Sequence, residues 1–194
     1  MTQHDYTTRP RFLTQPGDPD LDRRWARLRQ LGIGEHPDRE FDKIAAGLAA
    51  AAGAPYAMVN FIGPEVQYFA GLYPASQVDE AVAAIVQAEA VGRTMPVDHG
   101  YCPHVVQRRR ALPLEDVCDY PRFAGNPVVD KLGIRSYLGA PLIDHDGVVL
   151  GTVCVVAKEP TPWGMAGVEL IKATATDIVS LIKQRDVQRR GHPT

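Results

Sequence analysis

Near the start of the chain, apolar residues recur at helical spacing. Leu21, Trp25, Leu28 and Leu31 stand among arginines, and Gly32 and Gly34 end the run. Pro37 and Asp38 open a second helix whose apolar face carries Phe41, Ile44, Ala45 and Leu48, and Gly53 closes it. The period then switches to two. Tyr56–Ile62 and Val66–Leu72 flank Gly63-Pro64-Glu65 and read as a hairpin. Val78–Ala90 reads as an Ala-rich helical segment, Tyr101–Arg109 as a short helix and Ala111–Val117 as a short strand. Asp119–Asn126, with Pro121 and Gly125, reads as a loop or single turn. The clearest hairpin joins Ser136–Ile143 to Val148–Ala157 across Asp144-His145-Asp146-Gly147. A last helix runs from about Gly164 to Arg189. Its Val168, Ile171, Ala175, Ile178 and Ile182 form an a/d seam that fits either the sheet or a second subunit. Together these elements predict a layered α+β or α/β fold on a largely antiparallel sheet.

Composition narrows the function classes. The 194 residues suit one domain, taken as 20–190 with flanking helices behind a flexible tail, 1–19. Lys and Arg number 21 against 23 Asp and Glu, so the net charge of −2 argues against a nucleic-acid partner. The basic stretches Arg108-Arg109-Arg110 and Lys183–Arg190 read as solvated faces. Ile44 to Pro64 carries no charge over the length of a membrane span. Its Ala and Gly content, Pro55, Asn60 and the change of period make it a helix followed by a strand, so no membrane partner is expected. Three cysteines, Cys102, Cys118 and Cys154, and no apolar N-terminal leader favour a cytoplasmic location with free thiols.

The order of landmarks resembles a GAF domain, in particular the subgroup attached to bacterial sensor kinases and cyclic-dinucleotide enzymes. "ARLRQLGI" and "FDKIAAGLA" are similar to that subgroup's lead-in, and "GAPYAMVNFI" and "QYFAGL" to its first two strands. "GYCPHVV" stands where the family has Ser-Phe-Cys-Ala-His-Ala-Ile. "DYPRFAGNPVV" resembles its Asp-x-x-Arg-Phe-x-x-Asn-Pro loop, and "RSYLGAPLIDHDGVVLGTVCVV" its last hairpin. The resemblance covers Trp25 to Arg185. It implies an α+β fold, with a six-stranded antiparallel sheet, helices on both faces and a pocket on one face under the connecting loops. The chain departs from the pattern in a longer, Ala-rich 74–93 connection, in Val66 and Tyr68 for Arg and Trp, in Pro103, and in Ala157 for Asp.

The resemblance implies a small-molecule ligand held by Phe61 and Phe69 from the strands and by Tyr101, Cys102 and His104 from the loop side. Asp116, Arg122, Phe123 and Asn126 lie in the covering segment, and Tyr137 starts the next strand. The expected function is a stand-alone cytoplasmic sensory module without an output domain, with no particular cofactor indicated. It would signal through a homodimer of its terminal helices or through a partner protein. Two alternatives use specific residues. The first is a free methionine-R-sulfoxide reductase-like thiol enzyme, with Cys102 activated by protonated His104 and Cys118 as resolving partner. The second is a haem or metal-based redox or gas sensor, since His99, Cys102 and His104 have the types and spacing to hold a transition metal. No nucleophile–base pair is evident, so catalysis is the minority reading.

Overall fold

The computed structural model describes residues 18–74 and 93–191. The expectations of a loose tail up to Gly17 and of a helix over Val78–Ala90 lie outside the described residues. Helix α1 (Leu21–Leu31) ends at Gly32, whose φ of 63° is the left-handed conformation that glycine adopts without strain. Asp38 caps α2 (Arg39–Ala52), its carboxylate accepting from the backbone N–H of Glu40 at 2.9 Å and of Phe41 at 3.3 Å. The charge-free stretch from Ile44 is divided there: Gly53 ends α2 and β1 (Tyr56–Ile62) follows. No helix among the described residues is long and apolar enough to cross a membrane.

β1 turns back into β2 (Val66–Tyr73), and the later hairpin pairs β5 (Ser136–Ile143) with β6 (Val149–Ala157). Two three-residue strands, β3 (Thr94–Pro96) and β4 (Leu112–Leu114), close the edges. The six strands lie in the order β3-β2-β1-β6-β5-β4, antiparallel throughout. Residue alternation divides the core. Ala57, Val59, Phe61, Leu138, Ala140, Val153 and Val155 face α1, α2 and the 28-residue C-terminal helix. Met58, Tyr137, Cys154 and Val156 face the other way, toward α3 (Cys102–Arg108), α4 (Pro121–Ala124) and α5 (Pro127–Leu132).

The C-terminal helix α6 (Gly164–Gly191) buries Ile171, Ala175, Ile178 and Ile182 against the sheet. Of the two uses open to that seam, the molecule makes the internal one. Leu28 is buried and Trp25 packs against the same core, so the residues on which a dimer of terminal helices was expected serve this fold. Two arginines of α1 are also buried. Arg24 donates to the carbonyls of Ile62 and Val149 at 3.1 and 3.3 Å, and Arg27 to Asp144 and Asp186 at 2.9 and 3.2 Å. The segment expected as a loop is more ordered than that: Asp116 caps a 3-10 turn over Val117–Asp119, and α4 follows. Strand β3 had no signature in a three-residue Thr-Met-Pro run; pairing with β2 creates it.

Candidate functional site

The loop-side face of the sheet floors a cavity of about 90 Å³. Met58, Phe69, Leu72, Met95, Cys154 and Val156 come from the strands, and Tyr101, Cys102, Val128 and Ile134 come from the opposite side. Asn126 holds that opposite side in register. Its side chain accepts from the Gly100 N–H and donates to the Gly100 carbonyl, both at 2.9 Å, while its oxygen also caps Val128 at 3.2 Å. This clamp joins the start of α5 to the turn before α3, where Gly100 has φ of 75°, and so fixes Tyr101 and Cys102.

A polar nest lies at the cavity floor. Cys102 Sγ and Cys154 Sγ face each other at 3.8 Å, and the Tyr137 hydroxyl donates to Cys102 Sγ at 3.4 Å. Asn60 Nδ2 donates to Gln67 at 2.8 Å, and Gln67 donates to the carbonyls of Pro96 and His99 at 2.9 and 2.7 Å. Thr152 Oγ1 is buried without a conventional hydrogen bond. Leaving a buried hydroxyl unpaired costs about 1–3 kcal/mol, and a thiolate beside it would take up that donor. The S–H of Cys154 acts most strongly on Cys102. It prevails over burial, with Thr152, Tyr137 and Asn60 adding to it, and holds the Cys102 thiol below its ordinary value. Cys154 moves the opposite way, well above the ordinary thiol value, because of Cys102 beside it and its own burial. Tyr137 reaches Cys102 across Gly139: a Cβ at that glycine would overlap the Tyr137 hydroxyl.

The expected activation of Cys102 by protonated His104 does not hold. Burial, then Arg122 and Arg108, lowers the His104 pKa to about 4, so its ring is neutral near pH 7. The ring instead meets Phe123 edge-on at 5.0 Å. Cys118 is exposed on the 3-10 turn, and the thiol that faces Cys102 is Cys154. His99, Cys102 and His104 do not converge as a metal set. His99 Nδ1 pairs with Asp98 at 2.7 Å, and neither histidine lines the cavity, so the residues do not fit a haem ligated there. Among the described residues, the three potential ligands that do meet are Asp144, His145 and Asp146, in the β5–β6 turn.

Of the ten residues expected to bind a ligand, Phe69, Tyr101, Cys102 and Tyr137 line the cavity together. Phe123 and Asn126 stand directly behind that wall, Phe123 against Tyr101 with ring centres 5.6 Å apart. Phe61 points to the opposite face and packs on Phe41 at 5.8 Å. Asp116 pairs with Arg135, and Arg122 lies over Phe123 at 5.8 Å. Met58, Met95, Asn60, Gln67, Thr152 and Cys154 were not foreseen. The signal for three of them was present: Asn60, Gln67 and Thr152 are lone polar residues inside apolar strand runs.

Comparison with known proteins agrees with this architecture. The GAF domain family model matches residues 36–182. A cyclic di-GMP phosphodiesterase of Pseudomonas aeruginosa is 28% identical over 149 residues; the match takes in 76% of this chain, and the chain spans only 23% of that relative's length. The GAF domain of an Acinetobacter phosphoenolpyruvate-protein phosphotransferase superposes with a TM-score of 0.57 at 15% identity, covering 90% of this chain and 99% of that one. A free methionine-R-sulfoxide reductase of Neisseria meningitidis, solved with its substrate, gives 0.57 at 13% identity over 90% of this chain and 96% of its own. At these identities the two structures establish likeness of fold.

Proposed function

The chain belongs to the GAF domain family, and on that footing we propose that it is a cytoplasmic sensory module that binds a small, largely apolar solute between the sheet and α3. The observation that carries this reading is the cavity itself, concave and walled by Met58, Phe69, Leu72, Met95 and Val128, with a few polar groups converging at its floor. Its size argues for a ligand of few atoms, because drug-sized sites are typically about 300–1,000 Å³. A larger ligand would have to displace the turn that Asn126 holds. Occupancy would reach the outside through α3 and the β5–β6 turn, whose Asp144 meets Arg27 of α1, which in turn meets Asp186 of α6. The shift can be no larger than the difference in the ligand's affinity for the two arrangements. The receiver would be a partner protein or a second copy, docked on the exposed face of α6, where Met165 and Val187 stand out at 75% and 63% exposure.

Native mass spectrometry of freshly purified protein, before and after denaturation, tests the reading, followed by thermal shift against small apolar solutes. We expect either a retained mass or a stabilising solute, and loss of the effect in Leu72→Trp, which fills the cavity. A Leu72→Trp variant that is folded and responds like the parent rules out this cavity as the site. Sedimentation as a monomer at micromolar concentration, with and without solute, removes the second copy as receiver.

The amino-acid sulfoxide reductase reading is less favoured. A free amino acid brings an ammonium group, and no carboxylate lines the cavity among the described residues.

A further inference from the structure

Cys102 and Cys154 come from separate elements, the first turn of α3 and the middle of β6, yet their sulfurs meet at the wall of the cavity. We propose that this dithiol is a reduction site for small apolar hydroperoxides, which oxidise it to a Cys102–Cys154 disulfide. The proposal rests on the sensor reading only in requiring that the cavity admit a solute.

Geometry divides the work between the two thiols. The Tyr137 hydroxyl points at Cys102, and Thr152 and Asn60 face the same sulfur, so negative charge gathers on Cys102 while Cys154 keeps its proton. The gap of 3.8 Å must shorten to the roughly 2.05 Å of an S–S bond when the disulfide forms. Burial alone would make both thiols inert; the cavity they line supplies the access that reactivity needs. Its apolar lining suits an uncharged organic hydroperoxide.

The Cys102 thiolate attacks the terminal oxygen of ROOH, forming an S–O bond as the O–O bond breaks. The alkoxide leaves and takes the proton of Cys154, giving ROH. Cys154 sulfur then attacks the Cys102 sulfenic acid, forming the disulfide and releasing hydroxide. Hydroxide recombines with the proton that Cys102 had lost, giving water. Two electrons pass from the thiol pair to the peroxide. Two exchanges with a low-molecular-weight thiol restore the dithiol and yield that thiol's disulfide.

The test exposes the prereduced 194-residue chain to tert-butyl hydroperoxide without oxygen. Quenching by alkylation in denaturant follows, with intact-mass and peptide analysis. Alkylatable thiols should fall from three to one, with a Cys102–Cys154 cross-link, and Cys118→Ser should form the same cross-link. Cys154→Ser should stop at a Cys102 sulfenic acid that dimedone captures. The rate should rise with pH to a plateau whose midpoint lies below the ordinary thiol value. Tyr137→Phe should slow the reaction roughly tenfold and move that midpoint upward, as expected for the loss of a hydrogen bond to a charged sulfur. Equal rates for the folded and the urea-unfolded chain, or cross-links through Cys118 alone, overturn the proposal. A thermal-shift response without the Cys102–Cys154 cross-link overturns it while leaving the sensor reading standing. The cross-link without any thermal-shift response supports the dithiol and counts against the sensor.

Discussion

His104 shows how one residue changes meaning when its surroundings become known. Its place two residues after Cys102 suggests an activating cation, but burial and the nearby Arg122 and Arg108 keep it neutral. The same facts give a pH dependence. Below about pH 6.5 the unfolded chain protonates this histidine, while the folded chain resists until about pH 4. The unfolded state therefore binds more protons in that window, and stability falls as pH falls through it, by about 3 kcal/mol from this group. Urea denaturation at a series of pH values should show that slope, and His104→Phe should flatten it. Cys102 and Tyr101 are legible as candidates from "GYCPHVV". Cys154 is not, because a cysteine in mid-strand reads as plain core until the fold places α3 over it.

At the scale of elements, the helices with clear periodicity and the two hairpins are readable because each carries its own turn or cap chemistry. Their mutual fit is not readable. Gly71 of β2 lies so close under α2 that a Cβ there would stand 2.5 Å from the Phe41 carbonyl oxygen. Gly71→Ala must push backbone against backbone. It should cost about 1–3 kcal/mol in chemical denaturation, with the fold retained. The α2–α6 contact is a second case. Arg185 donates to Asp38 and Glu40 at 2.5 and 2.6 Å, joining the C-terminal helix to the cap of α2. Although burial opposes it, Arg185 and the capping N–H groups hold Asp38 below the usual carboxylate range. A depressed carboxylate contributes stability above its unfolded pKa of about 3.9 and loses it as pH falls below that. Arg185→Gln should remove this acid-sensitive part, which thermal melts between about pH 5 and pH 3 would resolve.

For the molecule as a whole, the C-terminal helix is part of the domain core. Ile171, Ile178 and Ile182 are fully or nearly buried, and each contributes about 1.5–3 kcal/mol when removed from water. Their sum approaches the about 5–15 kcal/mol that a domain typically has in total. A chain ending at Trp163 should therefore show no cooperative melting by circular dichroism. Hydrophobic period, caps and turn residues are local properties, so the sequence by itself determined the strongly periodic helices, the two hairpins and the resemblance to the GAF family, which implied the α+β class. Only the tertiary structure decided which face each strand residue serves, that the α6 seam is spent inside the fold, and that Cys102 meets Cys154 rather than Cys118. Those outcomes depend on sheet order and on packing between segments about 50 residues apart, a distance over which local spacing carries no information.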